Sequence, residues 1–295
     1  MPALLLVNPF ASQVDERVLA RVREALPAGT EVRLTSRPGE ATELAREAAG
    51  RVEALYVLGG DGTFNEVLNG IDAHTPLGLL PGGGTSVLPR ALGLPRDPAA
   101  AAARLAAHPV RCRISVGRVN GRRFGFAAGV GLDAEVVRAV DERGRQPDGR
   151  RPGDFAYVWT ALRRLARSRF RLEPALEVRS AGRAASAFVV NAPVYTYLGR
   201  VPVRLAPGAA FEGGLDLVAP TRVRARDVPL LLAWALAPAE RRRPAGLLYL
   251  HDAERVEVVC DRPLPLQADG EDLGDVEEAV FEAERGAVTV LVSVD

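Results

Sequence analysis

Three short runs in the first eighty residues are apolar throughout: Ala3–Val7, Ala54–Leu58 and Leu77–Leu80. A strand with one face in water alternates polar and apolar side chains, so a run without alternation is covered on both faces. Between these runs the apolar residues recur at helical spacing. Val14, Val18, Leu19, Val22 and Leu26 make one face; Ala41, Leu44, Ala45 and Ala48 make another. Glu31–Thr35 adds a strand, Phe64–Asn69 a helix, and alanine-rich Pro98–His108 a closing helix. Strands alternating with helices through short connections predict a parallel sheet covered on both sides. Ligands of such sheets sit beyond the carboxyl ends of the strands. Three of those ends read VNPFAS, TSRPGEA and GGDGTFNE, and they are expected to face one crevice.

After residue 110 the period changes to two. CRISVGRVNGRRFGFAAGVG is a pair of alternating runs joined by Asn120-Gly121, a type I′ hairpin signal. Further alternating runs occupy 186–191, 201–205, 254–260, 276–281 and 287–294. The sequence therefore divides into an α/β domain over 1–110 and an antiparallel β domain over 111–295. Two helices, Phe155–Phe170 and Asp227–Ala237, interrupt the second domain, the first preceded by the polar loop 141–154.

Composition removes several functions. A net charge of +1 gives no bulk attraction for nucleic acid. Every one of the 38 basic residues is arginine, so no reaction that needs a lysine is available. Cys112 and Cys260 lie far apart in alternating runs and read as reduced strand thiols. His74, His108 and His251 show no ligand spacing. No apolar stretch is long enough to span a membrane, and the first one lacks the charged flank of a signal peptide. A cytoplasmic protein is the expectation.

GGDGT ends an apolar strand and opens a helix. Glycine leaves backbone N–H groups bare, and together with a helix N-terminus they attract phosphate. Thr63 can bond a phosphate oxygen or cap the helix. Asp61 among phosphates needs a cation or a hydroxyl, and magnesium suits a carboxylate with phosphate oxygens. The same residues also read as an Asp-Gly turn with a threonine cap and no ligand. A Walker loop is excluded by its missing lysine, and GGDGT is not the Rossmann G-x-G-x-x-G.

GGDGTFNEVLNG resembles the diacylglycerol kinase catalytic domain family, which includes bacterial lipid kinases and the sphingosine and ceramide kinases. VNP at 7–9, TSRPGEA at 35–41, LPGGGTSVLPRALGLP at 80–95, VVNAPVY, LAPGAAFEGGLDLV and LQADGED at 266–272 match further family segments in order. The resemblance implies a Rossmann-like domain of the NAD-kinase and phosphofructokinase type. It also implies a β-sandwich after that domain and ATP in the cleft between the two. The γ-phosphate would pass to a lipid hydroxyl, with diacylglycerol the default acceptor and magnesium the cofactor. Asn8, Pro9, Thr35, Gly59, Gly60, Asp61, Gly62, Thr63, Asn65, Glu66 and Thr85 would line the nucleotide. Asp61 would hold or orient Mg–ATP, and Asp269 or Glu271 would take the acceptor proton.

The chain departs from the family at three places. Its 81–87 segment lacks the Asn-Asp pair. Where bacterial members carry Asp-Asp-Gly for a structural magnesium, it has Glu212-Gly213-Gly214; Gly213 takes the aspartate's place, which leaves Glu212 and Leu215 as metal candidates. YTYLG at 195–199 replaces a glycine cluster. Read by itself, the LQADGED segment is also an ordinary acidic Asp-Gly turn.

The run 227–244, apolar and capped by Arg241, Arg242 and Arg243, either packs on the β domain with a solvated basic end or lies on an anionic membrane surface. Residues 159–172 repeat the pattern, with Leu162, Leu165 and Phe170 among arginines. A lipid substrate at the membrane surface, with the protein peripheral at the inner face, is the partner this implies. Two alternatives remain at this point: an NAD kinase, which shares GGDGT, and a non-catalytic nucleotide- or lipid-binding homologue.

Overall fold

A computed structural model describes residues 2–142, 160, 163, 166, 171–237 and 243–293. The first part runs β1 (Leu4–Val7), α1 (Glu16–Ala25), β2 (Glu31–Leu34), α2 (Glu40–Ala48), β3 (Leu55–Gly59), α3 (Asp61–Leu68), β4 (Leu77–Pro81), α4 (Val87–Ala91) and α5 (Pro98–Ala107). There follow β5 (Val110–Val119), β6 (Arg122–Phe124), β7 (Ala127–Val130), α6 (Leu132–Asp141), β8 (Arg171–Leu172), β9 (Leu176–Val178), β10 (Gly182–Ala184) and β11 (Ala187–Val190). The chain continues with β12 (Thr196–Leu198), β13 (Val201–Val203), β14 (Leu215–Pro220), β15 (Val223–Arg224), α7 (Val228–Leu236), β16 (Leu247–Ala253), β17 (Arg255–Ala268) and β18 (Glu271–Val292).

The described residues form two compact units, 2–115 with 285–293, and those between 116 and 284. In the first, β2, β1, β3 and β4 lie side by side in that order, all parallel. Val7 stands level with Leu34 and Leu58, and Gly59 with Pro81, so the carboxyl ends finish together. Leu5, Val7, Leu58 and Leu80 share a core with Val22 of α1, Leu26 just after it, and Ala102 and Leu105 of α5. Asp15 caps α1, its carboxylate accepting from the Val18 N–H at 2.7 Å.

The second unit is an antiparallel β-sandwich. Its longest sheet runs β16, β14, β11, β7, β17, β18, with β9 also on β17. Phe124 and Phe281 meet edge to face in its core, ring centroids 6.5 Å apart. The expected type I′ hairpin is present, with Asn120 and Gly121 at φ of 46° and 89°.

The final strand differs from expectation. Residues 285–292 belong to the first unit, where Val290 lies parallel beside Leu77. Val288, Val290 and Leu291 are all buried, as a strand inside a parallel sheet requires. The boundary expected near 110 therefore misses this return of the chain, because alternation in 287–294 reads alike in either setting. The loop residues 143–154 and most of the helix expected over Phe155–Phe170, including Leu162, Leu165 and Phe170, lie outside the described residues. So do Arg241 and Arg242. Among the described residues no helix is long and apolar enough to cross a membrane. Cys112 and Cys260 are free thiols, and burial pushes Cys260 up to about 11.

Candidate active site

The connections leaving β1 and β3 diverge, one toward β2 and the other toward β4, so a switch point falls between these adjacent strands. Asn8 follows β1 at this point and Thr63 follows β3. The Asn8 Nδ2 donates to Thr63 Oγ1 at 2.8 Å, while Asn8 Oδ1 accepts from the Phe10 N–H at 2.9 Å. Thr35, buried at the end of β2, gives its N–H to the Val7 carbonyl at 2.9 Å. The crevice expected from three strand ends is thus assembled within one unit.

A fourth end joins it. The Gly82 N–H donates to the Gly59 carbonyl at 2.7 Å. A Cβ on Gly83 would lie 2.8 Å from Gly60 Cα, so the two glycine turns pack main chain on main chain. Any side chain at Gly83 would force them apart. Helix α3 starts three residues earlier than the apolar pattern indicates. The first of its bonds runs from Phe64 N to Gly60 O at 3.0 Å, so the N–H groups of Asp61, Gly62 and Thr63 precede the helical ladder. Donors of this kind at the positive end of a helix suit a phosphate. Asp61 sits among them and its Oδ1 accepts from the Val87 N–H at 2.7 Å, tying the turn to α4.

The other residues expected at the nucleotide have different surroundings. Asn65 is fully buried, and its carbonyl accepts from Asn69 Nδ2 at 2.9 Å. Glu66 Oε2 accepts from the Ala41 N–H at 3.1 Å, which anchors the start of α2. Pro9 is exposed, and Thr85 is half-buried with its carbonyl bonded to Arg90.

In the second unit, Asp269 and Gly270 form the two-residue turn between β17 and β18, with φ of 49° and 78°. Asp269 is 4 % exposed. Its carboxylate accepts from three successive N–H groups, Gly125 at 2.6 Å, Phe126 at 3.0 Å and Ala127 at 3.2 Å. Glu271, more open, pairs with Arg122.

Sequence reading missed a buried chain behind this turn. Tyr195 donates its hydroxyl to Asp133 Oδ1, and Gln267 Nε2 donates to Asp133 Oδ2 at 2.5 Å. Gln267 Oε1 in turn accepts from the Gly270 N–H at 2.9 Å. Burial pushes the Asp133 carboxyl up, although Tyr195 and Gln267 offset part of that. The signal was available: GVGLDAE, like GGDGT, joins a strand to a helix through glycine and puts an acid in the helix's first turn.

The residues at the proposed structural metal loop do not make a metal set. Glu212 is exposed, whereas Leu215 is buried and paired with Ala253 in the sheet. Asp252 serves the loop instead. Its Oδ1 accepts from the Gly214 N–H at 2.6 Å and would lie 3.4 Å from a Cβ at Gly213, where the aspartate is missing. Among the described residues no group of three or more His, Cys, Asp and Glu side chains is arranged to hold a metal ion.

Residues 2–119 match the family described as the diacylglycerol kinase catalytic domain, and residues 127–292 the YegS C-terminal NAD kinase beta sandwich-like domain. The chain is 36% identical over 149 residues to a diacylglycerol kinase of Bacillus subtilis, covering 48% of this chain and 49% of that protein. It is 35% identical over 169 residues to a probable lipid kinase YegS-like protein of Pseudomonas fluorescens, covering 55% and 54%. The matches span about half the length of these curated relatives. A crystal structure of a diacylglycerol kinase from Bacillus anthracis superimposes with a TM-score of 0.71 over 99% of this chain and 97% of that one, at 20% identity, which shows the shared fold.

Proposed function

The chain belongs to the family that joins a diacylglycerol kinase catalytic domain to a YegS C-terminal β-sandwich, and we propose that it transfers the γ-phosphate of ATP to a lipid hydroxyl, with diacylglycerol the default acceptor. The observation that carries this reading is the bond from Asn8 to Thr63 across the switch point, beside the N-terminus of α3. Its N–H groups, with Thr35 and the paired glycine turns, bind and orient the phosphates. Asp61, a carboxylate in the first turn of α3, would hold a magnesium ion together with phosphate oxygens. That ion, when bound, neutralises phosphate charge.

The acceptor oxygen attacks the γ-phosphorus, the bond to the β-phosphate oxygen breaks, and ADP leaves. Glu271 is the better placed of the two acids to take the acceptor proton, since Asp269 is committed to three backbone donors. Asp269 then fixes the turn that presents Glu271. Positioning and charge neutralisation suffice for such a transfer, which a chain without lysine can supply. Labelled ATP offered with a lipid panel and with NAD tests the proposal. Label in a lipid supports it; label in NAD alone selects the NAD-kinase alternative.

A further inference from the structure

Helix α7, VPLLLAWAL, has no polar side chain apart from the Trp234 indole, yet much of it is in water. At 100° per residue, Leu232, Leu236, Pro229, Ala233 and Leu230 fall on one continuous face, and all five are exposed. The opposite face, with Leu231 and Trp234, packs into a small core with Val190 and Val218. Leu230, Leu232 and Leu236 are 57%, 50% and 43% exposed. Val201, 49% exposed, opens β13, the strand on which α7 packs and whose end bonds to it, Arg204 N to Ala235 O at 2.8 Å. Four of the seven large exposed hydrophobic residues among those described therefore belong to this helix and strand. Isolated exposed leucines need no explanation, but a clustered face does.

The charges around it decide what covers it. Arg222 and Arg226 precede the helix, Arg200 precedes Val201, and Arg243 follows the helix; all four are exposed. The nearest acid in the chain before the helix, Asp227, is used locally, accepting from the Arg224 N–H at 3.0 Å and pairing with Arg226 at 3.7 Å. A second copy docking about a twofold axis would bring these arginines against their own kind. An anionic bilayer would attract them while taking up the leucines. We propose that the exposed face of α7, with Val201, docks the protein onto an anionic lipid surface, the arginines contacting head groups and the leucines entering the acyl boundary. The proposal deepens the lipid-kinase reading and rests on it for its purpose, although the face itself is independent of that chemistry.

Vesicle co-sedimentation of the full chain without nucleotide tests it, using phosphatidylcholine alone and phosphatidylcholine with 30 mol% phosphatidylglycerol, roughly the charge density of an anionic leaflet. The wild type is expected to bind the anionic vesicles at least about tenfold more tightly, and less so as salt rises. The variant L230S/L232S/L236S is expected to lose about tenfold or more of that binding. R200Q/R222Q/R226Q is expected to bind both vesicles alike. Both variants should melt like the wild type and turn over a short-chain, water-soluble acceptor at its rate. Equal anionic-vesicle binding by wild type and the serine variant overturns the proposal. So does a lipid-free wild-type dimer that the serine variant dissociates, which would assign the face to a second copy. Vesicle binding without phosphorylation of any lipid leaves the docking face standing and removes the kinase reading alone.

Discussion

Asn8 and Thr63, 55 residues apart in sequence, are joined at 2.8 Å across the point where the strand order reverses. That bond fixes the turn after β1 to the first turn of α3, where the N–H groups proposed to meet phosphate begin the helix. Replacing Asn8 by alanine is expected to raise the KM for ATP about tenfold or more, with a stability loss of about 1 kcal/mol for the lost bonds. ATP kinetics and thermal melting check both, and an unchanged KM would remove Asn8 from the site.

Asp269 and Glu271 are expected to separate in their kinetics and stability. Asp269→Asn substitutes an amide NH2 for one acceptor facing backbone donors, so the protein should lose about 1–3 kcal/mol. Glu271→Gln should melt within a few degrees of the wild type but lose about 10²-fold or more in kcat. If Asp269→Asn alone lowers kcat in a fully stable protein, the roles are reversed.

Acid should weaken the second unit through Glu284. Burial raises its carboxyl, but Arg123 at 2.7 Å and Arg118 outweigh that and hold it below its ordinary value of 4.5. A depressed folded-state value gives stability that is full above the unfolded-state value and is lost as pH falls through the folded one. The acid limb of the stability curve should therefore begin near pH 4.5 and steepen below it. Glu284→Gln should cost about 1–3 kcal/mol at pH 7 and flatten that limb. Chemical denaturation at a series of pH values reads both effects.

Much of the parallel sheet was legible because apolar runs and helical periodicity are local signals. The shared crevice followed from three strand ends alone. What was hidden came from contacts distant in sequence. Nothing local tells that Gly82 and Gly83 pack on Gly59 and Gly60, or that Val290 returns beside Leu77. The start of α3 was missed because Asp61, Gly62 and Thr63 carry no apolar periodicity. Asp252 was invisible because its partner, Gly214, lies 38 residues away.

Removing divalent metal should leave the loop around Gly213 intact, since Asp252 already caps it. EDTA is expected to leave the melting temperature of the nucleotide-free protein unchanged, whereas Asp252→Ala should lower it, by about 1–3 kcal/mol for the orphaned Gly214 N–H. A fall in melting temperature on EDTA that magnesium restores would put a structural metal back in this unit.

Asp61 opens α3, accepts from the Val87 N–H at 2.7 Å and is the acid proposed to hold Mg–ATP. The most direct measurement is transfer of label from γ-labelled ATP to a panel of lipid acceptors by wild type and Asp61→Asn, with folding of both checked by circular dichroism. Label in a lipid hydroxyl is expected with wild type. A folded Asp61→Asn protein should show a loss of about 10²-fold or more. Lipid phosphorylation that survives undiminished in Asp61→Asn, or a wild type that labels no lipid, would contradict the proposal.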